Sequence, residues 1–226
     1  MEIVWYGHSC FRINERGKAA VVCDPYDHEV VGYSPLRLKA EIVTVSHDFP
    51  GHNCTKCVKG NPYLINGPGE YEIGGVFITG LSTVVRRSKK NNEEKNGNNG
   101  TEIDNTLYLI DYGGITIAHL GDMVQVPTQA EVESLGPVNI ALVPVGDGSS
   151  LNASKAAEVI SLLEPNIVIP MHYATADAKL KLDPISKFLK EMGLSEVETQ
   201  ESFKVSSTND LPEDTKVIFL DYTTKA

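Results

Sequence analysis

The sequence has few cysteines, and it has fewer basic residues than acidic ones. Each of these two features disfavours a class of protein. Its 226 residues include four cysteines, at positions 10, 23, 54 and 57, too few for a disulfide-dense secreted scaffold. The formal net charge of -10 disfavours binding to nucleic acid. No apolar run is as long as a membrane span, and residues 1–6 lack the basic start of a signal peptide. We therefore expect a cytoplasmic protein with no membrane contact, for which a nucleic-acid substrate is disfavoured but not excluded.

The sequence does have a large apolar fraction, 41% of its residues, which is enough to bury a substantial core. Predicted strands dominate the first half, whereas strands and helices alternate in the second. These helices include one capped by Asn152 and one over residues 177–192, which Pro184 interrupts or restarts. Because no change of composition marks a linker, we expect a single domain over residues 1–226, with sheets inside and helices outside.

Residues 86–104 differ from the rest of the chain because they are almost wholly polar. A segment without core-forming residues predicts a flexible surface loop. A lid over a cleft is the alternative role for a loop of this length.

Residues 42–45 are all β-branched and mostly apolar, and they predict a buried strand. The loop that follows contains His47 and His52, with Pro50 and Gly51 between them. A strand that ends at such a turn directs side chains from a rigid edge into a cleft, where metal and catalytic sites are commonly built. Ordinary polar loop residues would produce the same pattern, so this pair alone leaves both interpretations open.

Five of the six histidines, together with two aspartates, lie at or just after the ends of predicted strands. The residues that can meet at one rim of packed sheets are His8, Asp24, His47, His52, Asp122 and His172. Imidazole nitrogens and carboxylate oxygens suit zinc, iron or manganese. Each residue alone is explained by a structural hydrogen bond, but so many at strand ends favour a metal site.

Six motifs are spread along nearly the whole chain. They are Gly7-His8-Ser9-Cys10-Phe11, Asp24-Pro25-Tyr26, Ser46-His47-Asp48, Gly67-Pro68-Gly69-Glu70-Tyr71-Glu72, His119-Leu120-Gly121-Asp122 and Pro170-Met171-His172-Tyr173. Their order and spacing resemble those of the metallo-β-lactamase superfamily, and most of all its small bacterial metal-dependent hydrolases related to ascorbate-phosphate lactonases. The resemblance implies an α+β fold, a four-layer αββα sandwich, with a metal site at the edge where the two sheets meet.

The sequence departs from the family at several ligand positions. The family motif is His-x-His-x-Asp-His, but here Phe49 replaces the second histidine and Gly51 replaces the aspartate. A further family histidine falls near Val85. For one metal the resemblance implies His47 and the positions of Phe49 and Val85 as ligands, so only one of three ligands remains.

For the other metal the resemblance implies the position of Gly51 together with His52, Asp122 and His172, so three of four ligands remain. These three can hold one divalent ion, zinc ahead of iron or manganese, and leave a position for water. We therefore expect a degenerate motif with a one-metal or metal-poor site. Low occupancy of the site and complete absence of metal are both left open. His47 either completes the shell or hydrogen-bonds the water, and we predict His47 and Asp122 to be the catalytic residues.

The remaining polar residues of the motifs are predicted to support the ligands. His8, Asp24 and His119 are candidates for holding ligand rings in orientation. Cys54 and Cys57 form a C-x-x-C motif. Such a motif has three interpretations: a redox-active pair, half of a zinc site, or two structural cysteines. The structural role is favoured because the sequence has no second C-x-x-C pair. The alternative is that Cys54 replaces one of the missing metal ligands.

The leading functional prediction is a metal-dependent hydrolase with a partly lost two-metal site. It would attack an ester, lactone or phosphoester of a small-molecule substrate with a metal-bound hydroxide. The alternative is a catalytically retired scaffold of the same fold that binds a small ligand or a partner. Substrate identity and the formation of a homo-oligomer are left open.

Overall fold

The computed structural model describes residues 1–88, 100–195 and 197–222, with side chains except at 84–88 and 100–103. Its strands are β1 (Glu2–Trp5), β2 (Phe11–Asn14), β3 (Val21–Cys23), β4 (Leu38–Lys39), β5 (Ile42–Thr44), β6 (Val58–Lys59), β7 (Tyr63–Ile65), β8 (Gly69–Ile73), β9 (Val76–Ser88), β10 (Gly100–Asp111), β11 (Thr116–His119), β12 (Ile140–Pro144), β13 (Ile167–Met171), β14 (Thr199–Gln200), β15 (Phe203–Lys204), β16 (Lys216–Val217) and β17 (Phe219–Leu220). Its α-helices are α1 (His28–Val31), α2 (Gln129–Leu135), α3 (Ala153–Leu163) and α4 (Ile185–Glu191), and 3₁₀ turns cover Thr55–Cys57 and Thr208–Asp210.

Two mixed sheets form the centre of the fold. The first has the strand order β15-β1-β2-β3-β5-β7 and the second the order β16-β13-β12-β11-β10-β9-β8. In the first sheet β3 and β5 are parallel, and in the second β11, β12 and β13 are parallel. Because parallel neighbours end at the same edge of a sheet, the residues that follow these strands are brought close together.

The main core lies between the two sheets, with helices against their outer faces. Trp5 and Phe11 of the first sheet belong to the same buried apolar cluster as Ile117 of the second and Phe188 of α4. A second cluster on the other face of the first sheet includes Val31 of α1. Every residue of β12 and β13 is buried, as expected for strands covered on both faces. The predicted αββα sandwich is confirmed.

The polar segment predicted to be a loop at 86–104 is strand at both of its ends. The strand β9 continues to Ser88 and β10 begins at Gly100, and the two pair antiparallel with Arg86 opposite Glu102. The predicted bounds were wrong because main-chain pairing does not need apolar side chains, so a polar stretch can also form a strand. Residues 89–99, on which the loop and lid predictions also rest, lie outside the described residues.

Two helix signals in the second half had different outcomes. Asn152 caps α3 as predicted, since its side chain accepts a hydrogen bond of 3.0 Å from the backbone nitrogen of Lys155. The helix predicted over 177–192 is much shorter, because α4 begins only at Ile185, directly after Pro184. Proline disfavours helical backbone in the residue before it, which explains the late start. Among the described residues no helix is long and apolar enough to cross a membrane.

Two buried tyrosines of the second sheet reach carbonyl oxygens of the first. The hydroxyl of Tyr112 lies 2.7 Å from the oxygen of Ala19 and 3.1 Å from that of Ile13. The hydroxyl of Tyr108 lies 2.9 Å from the oxygen of Val45, close to the end of β5. Burial raises the pKa of both phenols, so each stays a neutral donor at neutral pH.

We expect Tyr112→Phe to lower the free energy of unfolding by about 1–3 kcal/mol, because it leaves buried carbonyl groups without their donor. Urea denaturation measures the change. The control is Tyr71→Phe, whose exposed hydroxyl makes only a 3.4 Å contact with the oxygen of Pro68, and its effect should stay within about 0.5 kcal/mol. Equal effects of the two substitutions would contradict the bridging role.

Candidate metal centre

The ends of four strands and the turn after β1 bring the predicted polar residues to one rim of the sandwich. Asp24 follows β3, His47 and His52 follow β5, Asp122 follows β11, and His172 follows β13, while His8 lies between β1 and β2. All six side chains belong to buried residues, at most 4% exposed. The structure therefore collects, in one buried place, residues that are far apart in the sequence.

Five of these side chains direct ligand atoms toward one another. Asp122 Oδ1 lies 3.2 Å from His172 Nε2 and 3.5 Å from His52 Nε2, and Asp122 Oδ2 lies 3.7 Å from His47 Nε2. His52 Nε2 lies 3.1 Å from His8 Nε2. Ligands about 2.1 Å from a tetrahedral zinc ion would lie about 3.4 Å apart. The observed separations thus match the spacing of a ligand shell.

The candidate ligands form two overlapping groups of three. His47, His52 and Asp122 make one group, and His8, His52 and His172 make the other, with ligand atoms within 4.8 Å of one another in each. Because His52 belongs to both, the groups are two halves of one centre. The prediction of a degenerate, metal-poor motif is therefore not supported, despite Phe49 and Gly51.

Asp24 is the hydrogen-bond acceptor on which two of the histidines depend. Its carboxylate lies 2.8 Å from His52 Nδ1 and accepts hydrogen bonds of 2.6 and 2.8 Å from the hydroxyl and backbone nitrogen of Ser46. The Ser46 hydroxyl in turn lies 3.1 Å from His47 Nδ1. Since a carboxylate only accepts, His52 carries a proton on Nδ1, and its ring is oriented with Nε2 toward the centre.

Asp122 and His172 are held by residues that the sequence reasoning missed. The hydroxyl of Ser149 donates to Asp122 Oδ2 at 2.7 Å, and Asn105 Oδ1 accepts from the Asp122 backbone nitrogen at 3.0 Å. The Ser150 hydroxyl lies 3.1 Å from His172 Nδ1. Both serines follow β12, so the strand-end argument could have found them.

One buried oxygen indicates that a cation fits this centre. Within the described part of the chain, Asp122 Oδ1 accepts no hydrogen bond of good geometry. A buried carboxylate oxygen that lacks a donor is costly, and a divalent cation is a suitable partner for it. The imidazole and carboxylate groups around it are the ligand types that zinc prefers.

The charges of the centre are strongly coupled. Burial raises the pKa of Asp122, but His172 and His52 outweigh that effect and hold it well below its usual value. Burial lowers the pKa of His52, but Asp122 and Asp24 outweigh it and raise the pKa to about 10. Burial and the neighbouring imidazoles lower the pKa of His8, and burial lowers that of His172. Those two imidazoles are therefore neutral, the form that binds metals.

Three residues of the centre have left-handed backbone conformations, with φ of 52° at His8, 45° at Asp24 and 54° at His172. This conformation costs roughly 1–2 kcal/mol for a residue with a β-carbon. The turn at His8 is held in place because its carbonyl oxygen accepts hydrogen bonds of 3.0 Å from Trp5 Nε1 and from the backbone nitrogen of His172. Strained residues of this kind gather at functional sites.

The other predicted residues lie around this centre. His119 Nε2 donates to the oxygen of Ser9 at 2.9 Å, and its Nδ1 accepts from the backbone nitrogen of Gly121 at 3.3 Å. It therefore contacts the turns that carry His8 and Asp122 and makes these bonds to backbone, not to a ligand ring.

Three predicted ligand positions remain to be placed. The ring of Phe49 stacks on that of His47 with centroids 6.3 Å apart, and the side chain of Val85 lies outside the described residues. Cys54 is joined to Cys57 in a disulfide. Because its sulfur is bonded there, the alternative of Cys54 as a replacement ligand is not supported.

Gly121 is required for the approach of the turn that carries Asp122. Its φ is 58°, and a β-carbon there would lie 2.6 Å from Ser46 Cβ and would overlap Asn105 Oδ1. Both residues belong to the hydrogen-bond network of the centre. A side chain at position 121 would therefore push Asp122 away from the histidines.

We expect Gly121→Ala to lower the free energy of unfolding by about 2–5 kcal/mol, the sum of left-handed strain and overpacking. The matched control is Gly114→Ala, where φ is 99° but a β-carbon would meet nothing within 4 Å, so only strain of about 1–2 kcal/mol is expected. Chemical denaturation of both variants tests this. A Gly121→Ala variant as stable as Gly114→Ala would show that the turn is not tightly packed.

The fold and this arrangement of histidines and aspartates agree with the comparisons. Residues 2–172, which include every candidate ligand, match the family model described as a beta-lactamase superfamily domain. A UPF0173 protein of Pyrococcus furiosus is 31% identical over 209 residues, covering 85% of this chain and 90% of that protein. The chain therefore belongs to the metallo-β-lactamase superfamily. Within the superfamily it belongs to the UPF0173 family.

Two further relatives carry functional descriptions. A protein of Thermoplasma acidophilum, described as a UPF0173 metal-dependent hydrolase, is 27% identical over 208 residues and covers 81% of this chain and 88% of its own. The crystal structure of a candidate Zn-dependent hydrolase of the metallo-β-lactamase superfamily from Thermotoga maritima is similar with a TM-score of 0.75. It is 33% identical and covers 97% of both chains.

Proposed function

We propose that this protein is a metal-dependent hydrolase that acts on an ester, lactone or phosphoester of a small molecule. The observation that carries the proposal is the buried cluster of His52, Asp122 and His172, with Asp122 Oδ1 3.2 to 3.5 Å from both histidines. The description of relatives as metal-dependent hydrolases supports it. The description of the Thermotoga maritima protein as a candidate Zn-dependent hydrolase favours zinc, with iron and manganese as alternatives.

Each residue has a role that follows from its contacts. His52, Asp122 and His172 would hold the ion, and His47 would complete the shell or hydrogen-bond the attacking water. Asp24 fixes the ring of His52 by its 2.8 Å hydrogen bond. When bound, the ion supplies Lewis acidity toward water and the substrate oxygen. Asp122, kept ionised by its histidine neighbours, lies 3.7 Å from His47 Nε2, so the two together would orient the attacking water.

A cavity beside His47 supplies room for a substrate. It has a volume of about 380 Å³, within the range of small-molecule sites. Its lining residues are Val45, His47, Asp48, Asn53, Thr55, Leu64 and Asn66. These residues include one carboxylate, the imidazole of His47 and no lysine or arginine, so the cavity suits a small, polar substrate that need not be anionic. A cytoplasmic location and the absence of nucleic-acid partners stay predictions from composition.

A retired scaffold of the same fold is the second candidate. Phe49 and Gly51, which stand at positions where the family resemblance implies ligands, are the observation that favours it. Such a protein would keep the hydrogen bonds of Asp24 yet take up no ion. Metal binding therefore separates the two candidates before any substrate is known.

We expect purified protein to bind about one zinc ion per chain, measured by elemental analysis and by titration against a competing chelator. His172→Asn, which keeps a residue tolerant of left-handed backbone, should remove binding. Asp24→Asn should weaken it about 10- to 100-fold through loss of the ring-orienting bond. The exposed Asp214→Asn is the control and should leave binding unchanged.

Hydrolysis of model esters, lactones and phosphodiesters should stop on removal of the metal and return on its addition. Failure of the protein to take up zinc, iron or manganese would exclude the hydrolase and leave the scaffold. Uptake that is unchanged in His172→Asn would mean that the ion binds elsewhere.

A further inference from the structure

Gly51 lies between two rings, those of His8 and Phe49. A β-carbon at position 51 would lie 3.0 Å from His8 Nε2 and 3.2 Å from the ring of Phe49. These distances are shorter than ordinary van der Waals contact. The space that a side chain at position 51 would need is therefore already used by the imidazole of His8.

His8 directs that same nitrogen at the centre. Its Nε2 lies 3.1 Å from His52 Nε2, and its ring centroid lies 4.4 Å from that of His172. The residue is 1% exposed, and its Nε2 lies at hydrogen-bond distance from His52 Nε2, a contact that an ion bound between the two rings would replace. Two imidazole nitrogens this close are well placed to share one cation.

The backbone keeps His8 in this position independently of its side chain. Its carbonyl oxygen accepts hydrogen bonds of 3.0 Å from Trp5 Nε1 and from the backbone nitrogen of His172. The second of these bonds ties the turn of His8 directly to a residue that would hold the ion. The imidazole can therefore be removed without removing the contacts that hold the turn.

We propose that His8 is a ligand of the ion, and that the absence of a side chain at position 51 is what allows its imidazole to reach it. This inference rests on the proposed function, because it requires that His52, Asp122 and His172 hold a divalent ion. It assigns His8 a direct role, in place of the ring-orienting role predicted from the sequence.

The proposal has a consequence for metal preference. With His8, the ion would have up to four imidazole nitrogens and one carboxylate around it, from His8, His47, His52, His172 and Asp122. A nitrogen-rich set favours zinc over manganese, which prefers oxygen ligands. Removal of His8 should therefore weaken zinc binding more than manganese binding.

The experiment is a double-mutant cycle on the full chain with His8→Asn, Gly51→Ala and both together. Asparagine tolerates the left-handed backbone at position 8. Zinc dissociation constants come from chelator competition, and cobalt(II) absorption spectra report the coordination of the ion. Controls are the partly exposed His28→Asn and Gly67→Ala, where a β-carbon would meet nothing within 4 Å. Thermal unfolding shows that each variant is folded.

We expect His8→Asn to weaken zinc binding more than about 100-fold, beyond the effect of losing an outer partner such as Asp24, and to change the cobalt spectrum. Gly51→Ala should weaken zinc binding and change the spectrum in the same direction. In the double variant the alanine should add almost nothing, because its methyl group acts through His8.

Four results would overturn the proposal. Zinc affinity and a cobalt spectrum unchanged in His8→Asn would show that His8 is not a ligand, while the hydrolase proposal would stand. A loss below 100-fold with an unchanged spectrum would make His8 a positioning residue. No zinc or cobalt binding by the unaltered protein would overturn the proposed function as well. If His8→Asn does not fold, the test is the zinc affinity of Gly51→Ala. A change in affinity equal to that of Gly67→Ala would overturn the proposal for His8 but not the proposed function.

Discussion

The hydrogen bonds of the Asp24 carboxylate are the interaction on which the centre depends. This fully buried group lies 2.8 Å from His52 Nδ1 and accepts from both the hydroxyl and backbone nitrogen of Ser46. Burial raises the pKa of Asp24, but His119 and His52 outweigh that effect and lower it, so the carboxylate stays charged. A buried charge persists only when it is paired and fully hydrogen-bonded. That requirement orients His52 and, through Ser46, His47.

The sheet topology explains why such a network can be assembled from distant parts of the chain. The parallel strands β3 and β5 end side by side in one sheet, and β11, β12 and β13 end side by side in the other. Each of these ends supplies a polar residue, while the strands behind them are buried and apolar. A rigid apolar core thus holds a cluster of polar and charged groups. If these groups were free to move, they would separate and become hydrated.

Part of this arrangement could be predicted from the sequence. Apolar runs that end at His47, Asp122 and His172 indicate strands and the edge at which they meet, because strand ends are local signals. The approach of His8 to His52 could not be predicted, since it depends on the left-handed backbone at His8 and on the space beside Gly51. The pairing of β9 and β10 at Ser88 and Gly100 was missed for a related reason, because main-chain pairing leaves no mark on a polar sequence.

The central claim is that this buried cluster holds one divalent ion. A crystal of the protein grown with zinc and measured at the zinc absorption edge tests it directly, because the anomalous signal locates the ion independently of any assay. We expect a single peak at about 2.0–2.2 Å from His52 Nε2, His172 Nε2 and a carboxylate oxygen of Asp122. Crystals that contain zinc but show no peak among these three side chains would contradict the account.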